Sequence, residues 1–91
     1  MIISNCILHL DLPEVHSLKG RRAVTNSIKE KLRSYNVSVI DLSGEYAKEA
    51  DIAFVFVSPN ALKSAQYREK IERMLEKNFC EYPYDLEHEE F

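Results

Sequence analysis

The sequence of 91 residues has little of the two residues that most often interrupt regular structure, since it contains only two glycines and three prolines. Hydrophobic residues make up 45% of the chain and charged residues 30%, which is the balance of an ordinary globular protein. A disordered or fibrous chain is therefore disfavoured. At this length folding can build one two-layer core, so residues 1–91 are predicted to form a single domain.

Long apolar runs are also missing from the sequence. No stretch approaches the roughly 18 consecutive apolar residues of a membrane span. Met1 leads directly into a strand pattern without the basic start of a signal peptide. The protein is therefore expected to be cytosolic and to have no membrane partner.

Cysteine and histidine are too few and too scattered for a disulfide framework or a metal site. Cys6 and Cys80 stand near opposite ends of the chain, with no cysteine or histidine at ligand spacing, and both are interpreted as buried thiols. His9, His16 and His88 are far apart, without paired spacing or an acidic residue at metal-site intervals. No metal or cofactor is predicted.

Hydrophobic periodicity predicts six elements. Alternation with a period of two indicates strands, and apolar residues at helical spacing, preceded by the possible caps Ser17 and Ser58-Pro59-Asn60, indicate helices. The predicted elements are a strand at 2–12, a helix from 18 to 34 or 35, strands at 37–42 and 52–57, a helix from about 60 to 77, and a strand between 79 and 86. Pro83 predicts that the last strand is an edge strand.

The order strand, helix, strand, strand, helix, strand is typical of the α+β ferredoxin-like βαββαβ fold, a four-stranded antiparallel sheet with two helices on one face. The strand at 52–57 is apolar on both faces. One face must meet the helices and the other requires a cover, which we expect to be a second subunit. The predicted interface residues of this homodimer are Ile7, Phe54 and Phe56.

The stretch from Leu10 to Arg22, together with residues 36–39 and 53–58, resembles the YlxP-like family of uncharacterised bacterial proteins. The most specific piece is Ser17-Leu18-Lys19 followed by a basic pair, with an acidic residue six positions earlier. The resemblance implies a ferredoxin-like fold. Genes of the family often neighbour those of translation initiation and ribosome-binding factors, which implies a link to RNA or ribosomes. It carries over no catalytic residue, and the third strand departs from the family pattern because it holds two phenylalanines.

Positive charge gathers on the first predicted helix. Residues 15–36 carry six basic residues and one acidic residue, a balance of +5, whereas residues 81–91 carry five acidic residues and no basic one. At 100° per residue, one flank of the helix presents four cations and no acid. These cations are Lys19, Arg22, Lys29 and Arg33.

The start of this helix is predicted to bind phosphate. Lys19, Arg21 and Arg22 lie in the first turns, where the helix dipole disfavours each cation by about 0.3–1 kcal/mol, so stability does not explain them. Backbone N–H groups at a helix start bind anions, and Gly20 leaves room for one. The predicted anion or RNA site is Lys19, Arg21, Arg22, Lys29 and Arg33. The alternative is a solvated basic surface with Glu14 and Glu30 as local partners.

Two functions follow from these features. The first is a non-enzymatic factor that contacts RNA or a ribosomal particle through the basic flank. The alternative is a homodimeric protein-interaction or ligand-sensing module that uses the sheet face as its interface and has no nucleic-acid role. A net charge of −3 argues against indiscriminate nucleic-acid binding, so any contact with RNA is expected to be local.

Two further possibilities are disfavoured. Phe54 and Phe56 partly match the strand motif in which spaced aromatic residues stack on RNA bases, but Ile52 and Ala53 stand where that motif has a basic residue and a glycine. A small hydrolase is disfavoured because Ser17 and the two cysteines lack a recognisable base or oxyanion loop.

Overall fold

The computed structural model describes all 91 residues and contains four strands and two helices. Their order along the chain is the predicted one. The elements are β1 (Ile2–Asp11), α1 (Leu18–Arg33), β2 (Ser38–Asp41), β3 (Glu49–Ser58), α2 (Ala61–Asn78) and β4 (Tyr84–Glu90).

The four strands form one sheet in the order β2-β3-β1-β4, and each strand is antiparallel to its neighbours. The crossovers through α1 and α2 place both helices on one face, which confirms the ferredoxin-like βαββαβ prediction. The other face of the sheet carries no helix, and we refer to it as the open face. Neither helix combines the length and the apolar character needed to cross a membrane.

Local sequence explains where the helices start and end. The Ser17 side chain accepts a hydrogen bond from the Gly20 N–H at 3.0 Å, so it caps α1 as predicted. After α1, Asn36 takes the left-handed conformation with φ 57°, which turns the chain into β2. The Asn60 side chain caps α2 by accepting from the Lys63 N–H at 2.9 Å.

Two strands differ in extent from the prediction. β3 begins three residues earlier, because residues 49–51 continue the pairing with residues 9–11 of β1. β4 begins after Pro83 instead of being interrupted by it, since proline has no N–H to give to a ladder. β4 lies at the sheet edge as predicted, and it runs to Glu90 because its residues pair with β1 as far as Ser4.

The core lies between the sheet and the helices, and it decides which face of β3 is buried. Phe54 and Phe56 are 0% and 5% exposed and point toward the helices. Their predicted role as residues of a sheet-face interface is therefore wrong. Both faces of β3 are apolar, but the phenylalanines bury more area against the helices than valine or alanine can, and this decides the orientation. Ala53, Val55 and Val57 lie on the open face instead.

A buried polar chain ties α2 to both strands beneath it. The hydroxyls of Ser4 and Ser64 lie 2.5 Å apart in the core, and Ser64 also donates to the Glu90 carboxylate at 2.9 Å. Arg68 pairs with the same carboxylate at 3.2 Å. These hydrogen bonds and the ion pair orient α2 over β1 and β4. No buried side-chain polar atom is left without a hydrogen-bond partner.

Candidate functional site

Two of the five cations predicted to bind anions are already engaged within the protein. Nη1 of Arg21 donates to the carbonyl oxygens of Tyr46 at 2.9 Å and Glu49 at 3.2 Å, so it holds the loop between β2 and β3. Lys29 forms an ion pair with Asp41 of β2, with Nζ 3.8 Å from Oδ2 and a lysine side chain that is only 18% exposed. These two residues position α1 over the sheet.

The Asp41 carboxylate is held in its charged form beside Lys29. Burial is the largest single influence and acts to raise its pKa, but hydrogen bonds from Ser43 and the charges of Lys29 and Arg21 together bring the pKa below its ordinary value. Lys29 therefore keeps a negative partner at neutral pH. A phosphate would have to compete with this carboxylate for the lysine.

The other three predicted cations, Lys19, Arg22 and Arg33, are exposed, and we call them the α1 cations. None of them takes part in any of the five ion pairs. No acidic residue occupies the first turn of α1. The α1 cations therefore form a positive flank without a carboxylate partner.

The glycine at position 20 has a structural explanation that does not involve phosphate. A Cβ atom at this position would lie 3.3 Å from Oγ of Ser17 and 3.6 Å from Cγ1 of Val15. A side chain would therefore press on the capping hydroxyl. Close packing at the helix start therefore disfavours a larger residue here.

Half of the open face is apolar. The alternating side chains of β2, β3 and β1 point away from the helices, and the register makes them neighbours. Val57 is 63% exposed and Ile40 is 59% exposed. Ile7 lies on this face as predicted. We call this surface the apolar patch, and its members are Ile3, Ile7, Ile40, Leu42, Ala53, Val55, Val57 and Phe91.

The other half of the open face is acidic. It lies at the end of the sheet where β1 finishes and along β4, and it surrounds a shallow depression of about 610 Å³. The carboxylates of the acidic half are Asp11, Glu49, Asp51, Asp85, Glu87 and Glu89. The structure contains no group of three or more His, Cys, Asp or Glu side chains arranged to hold a metal ion.

His9 lies at the centre of the acidic half. Its Nδ1 is 2.7 Å from Oδ1 of Asp51 and its Nε2 is 2.9 Å from Oε2 of Glu87, so the ring bridges β3 and β4 across β1. The hydrogen bonds to Glu87 and then to Asp51 raise the pKa of His9 above its ordinary value. The His9 ring thus cross-links the acidic half.

The possible nucleophiles differ in exposure and in the contacts that they make. Burial raises the pKa of the Cys6 thiol to about 11, so it stays protonated at neutral pH. Cys80 is exposed, and the prediction that it is buried is wrong because it lies in the turn before β4, outside the core. The Ser17 hydroxyl is occupied as the α1 cap.

Sequence reasoning missed Ile40 and Leu42 as members of the apolar patch. The predicted strand at 37–42 reads as nearly continuous apolar sequence, so its two faces cannot be told apart without the partner strand. Pairing of Ile40 with Ala53 and the hydrogen bond from the Leu42 N–H to the Asp51 carbonyl place both side chains on the open face. The alternation offered no usable signal, since one face holds Ser38, Ile40 and Leu42 and the other holds Val37, Val39 and Asp41, with two apolar residues on each.

Three solved structures share this fold. The de novo designed protein Foldit4 is 13% identical, with a TM-score of 0.57, and the match covers 98% of this chain and 97% of that one. A protein of unknown function from Nitrosomonas europaea is 16% identical, with a TM-score of 0.58 and coverages of 100% and 90%. A dimeric ferredoxin-like protein from an uncultured marine organism is 12% identical, with a TM-score of 0.52 and coverages of 100% and 93%. At such low identity these likenesses establish the fold alone. No curated protein shows a significant match to the sequence. Residues 3–86 match the family described as "Protein of unknown function (DUF503)".

Proposed function

The chain belongs to the DUF503 family, whose function is unknown. We propose that it is a non-enzymatic interaction module that pairs with a second copy of itself through the open face of its sheet. The apolar patch carries this proposal. Large aliphatic side chains from three neighbouring strands and Phe91 lie exposed on one continuous surface. Contiguous exposed apolar surface of this kind marks an interaction site.

Self-association fits this surface because a two-fold interface must be self-complementary. An apolar patch covers its own copy at little polar cost, since only Asn5 and Ser38, which flank Val55, would need partners across the interface. The acidic half would instead repel itself. A two-fold axis through the patch satisfies both conditions, since it places the acidic halves of the two copies at opposite ends.

One comparison adds support. The marine ferredoxin-like protein of similar fold is described as dimeric. Within DUF503, we assign this chain to the YlxP-like proteins that its stretch from Leu10 to Arg22 resembles. Absence of enzymatic activity is part of the proposal, and it is supported by the protonated thiol of Cys6 and by the engagement of both His9 nitrogens with carboxylates.

The test is a charge placed in the apolar patch. Val57→Asp should convert a dimer to a monomer in size-exclusion chromatography with light scattering, because it buries an unpaired carboxylate in the interface. Leu62→Asp is the matched control, since Leu62 on α2 is 66% exposed and lies outside the patch. Equal masses for both variants would contradict the proposal.

A second candidate function is contact with RNA or a ribosomal particle, favoured by one observation. The α1 cations are exposed and have no carboxylate partner. Base stacking does not contribute, because Phe54 and Phe56 are buried under the helices. The acidic half of the open face would repel phosphate, so RNA would have to approach from the helix layer.

A further inference from the structure

A depression of about 400 Å³ lies where β3 ends and α2 begins, beside the turn that follows α1. We call it the α2 pocket. Its volume falls within the range of about 300–1,000 Å³ that small-molecule sites occupy. Asn36, Phe56, Lys63, Gln66, Tyr67 and Lys70 line it, together with Val57, Ser58 and Pro59 around the end of β3.

The charge of the α2 pocket is opposite to that of the whole protein. The chain carries 15 acidic and 12 basic residues, yet the pocket has two lysines and no carboxylate. Lys63 lies in the first turn of α2, which contains no acidic residue. The helix dipole and the preference for an acid at this position both disfavour a lysine there. Stability therefore does not explain Lys63.

The second lysine is held in place over aromatic rings. Nζ of Lys70 lies 5.8 Å from the centre of the Tyr35 ring and 5.9 Å from that of Tyr67. The Tyr67 hydroxyl donates to the Tyr35 carbonyl, which fixes its ring. The Tyr67 ring also packs on Phe56 at 5.1 Å between centroids, tilted by 59°. The pocket thus combines a rigid aromatic wall with two cations.

We propose that the α2 pocket binds a nucleoside monophosphate. Lys63 and Lys70 would hold the phosphate, since ammonium groups without a competing carboxylate favour an anion. The Tyr67 ring offers an apolar wall for the flat base, and the side-chain amides of Asn36 and Gln66 can bond to its polar edge. The site shares no residue with the α1 cations and shares only Val57 with the apolar patch.

The experiment is a titration of the full chain with AMP, followed through its amide resonances by NMR. We expect saturable shifts at Asn36, Lys63, Gln66 and Lys70, and tighter binding of AMP than of inorganic phosphate or adenosine alone. A Lys63→Gln and Lys70→Gln double variant should weaken AMP binding by about tenfold or more. A Lys31→Gln and Lys77→Gln double variant removes the same charge elsewhere and should bind AMP as the parent does.

Three results would overturn the assignment. If the amide resonances do not shift at millimolar AMP, the pocket does not bind AMP. Equal affinity for AMP and inorganic phosphate would reduce it to a simple anion contact without base recognition. Equal weakening in both double variants would attribute binding to net charge instead of to this pocket.

Discussion

Nδ1 of His9 lies 2.7 Å from Oδ1 of Asp51 on the neighbouring strand. The opposite ring nitrogen is bound by Glu87, and together these carboxylates raise the pKa of His9 above 6.5. A raised folded-state pKa stabilises the protein fully below about pH 6.5, and the stabilisation is lost as pH rises through the folded pKa. The ring is partly exposed, so we expect an effect of about 0.5–1 kcal/mol, measured by urea unfolding between pH 5 and pH 9.

The control for this effect is His9→Gln, which can bond to the carboxylates but cannot be charged. Its free energy of unfolding should lack the step that the parent shows above pH 6.5. A step of the same size in the variant would attribute the pH dependence to another group.

Phe54 is a core residue and not the interface residue that the sequence predicts. Phe54→Ala should lower the free energy of unfolding by about 3–5 kcal/mol, because it leaves a cavity beneath both helices. Leu62→Ala, at an exposed position, should change it by about 0.5 kcal/mol or less. Chemical denaturation followed by circular dichroism measures both, and a small effect at Phe54 would be incompatible with the packing described.

The two thiols should differ sharply in reactivity. Cys80 is exposed, whereas Cys6 is buried and the pKa of its thiol is raised to about 11. An aromatic disulfide reagent at pH 8 should therefore modify one thiol rapidly in the folded protein and the second only after denaturation. Cys80→Ser should abolish the rapid phase. Two rapid equivalents in the native protein would show that Cys6 is accessible.

The second candidate function makes a prediction about salt. If the three α1 cations neutralise three phosphates, log affinity for RNA should fall with log salt at a slope of about −2.1 to −2.7, taking roughly 0.7–0.9 per phosphate. A Lys19→Gln, Arg22→Gln and Arg33→Gln triple variant should flatten this slope almost completely. Fluorescence anisotropy with a labelled ribosomal RNA fragment measures it.

The matched control removes three cations from other surfaces, at Lys31, Arg73 and Lys77. This variant should keep most of the parent's slope. RNA binding that survives loss of the α1 cations, or that falls equally in both variants, would reject this function and leave the interaction module.

The order and type of the elements could be predicted because local sequence determines them. Ser17 and Asn60 are favourable caps, Asn36 tolerates the left-handed turn, and the period of apolar residues changes from two to 3.6 at each helix. The start of β3 could not be predicted, because Glu49 and Asp51 are poor strand formers. They adopt strand geometry because β1 is long enough to pair with them.

The candidate surfaces were only partly predictable because they depend on contacts distant in sequence. The helical projection correctly placed Lys29 on the basic flank, but Asp41 that neutralises it comes from another strand. Which face of β3 is buried depends on how well Phe54 and Val55 each pack against the helices. The periodicity of the sequence does not carry this information. The α2 pocket joins Asn36 to Lys70 through folding alone.

Sedimentation equilibrium of the parent chain from about 1 to about 100 µM, a range that spans micromolar dissociation constants, tests the central claim most directly. Pairing through the apolar patch predicts a mass that approaches twice the 10.6 kDa of the chain as concentration rises. Val57→Asp should remain at the monomer mass throughout this range while Leu62→Asp follows the parent. A parent chain that sediments as a monomer at every concentration would contradict the account.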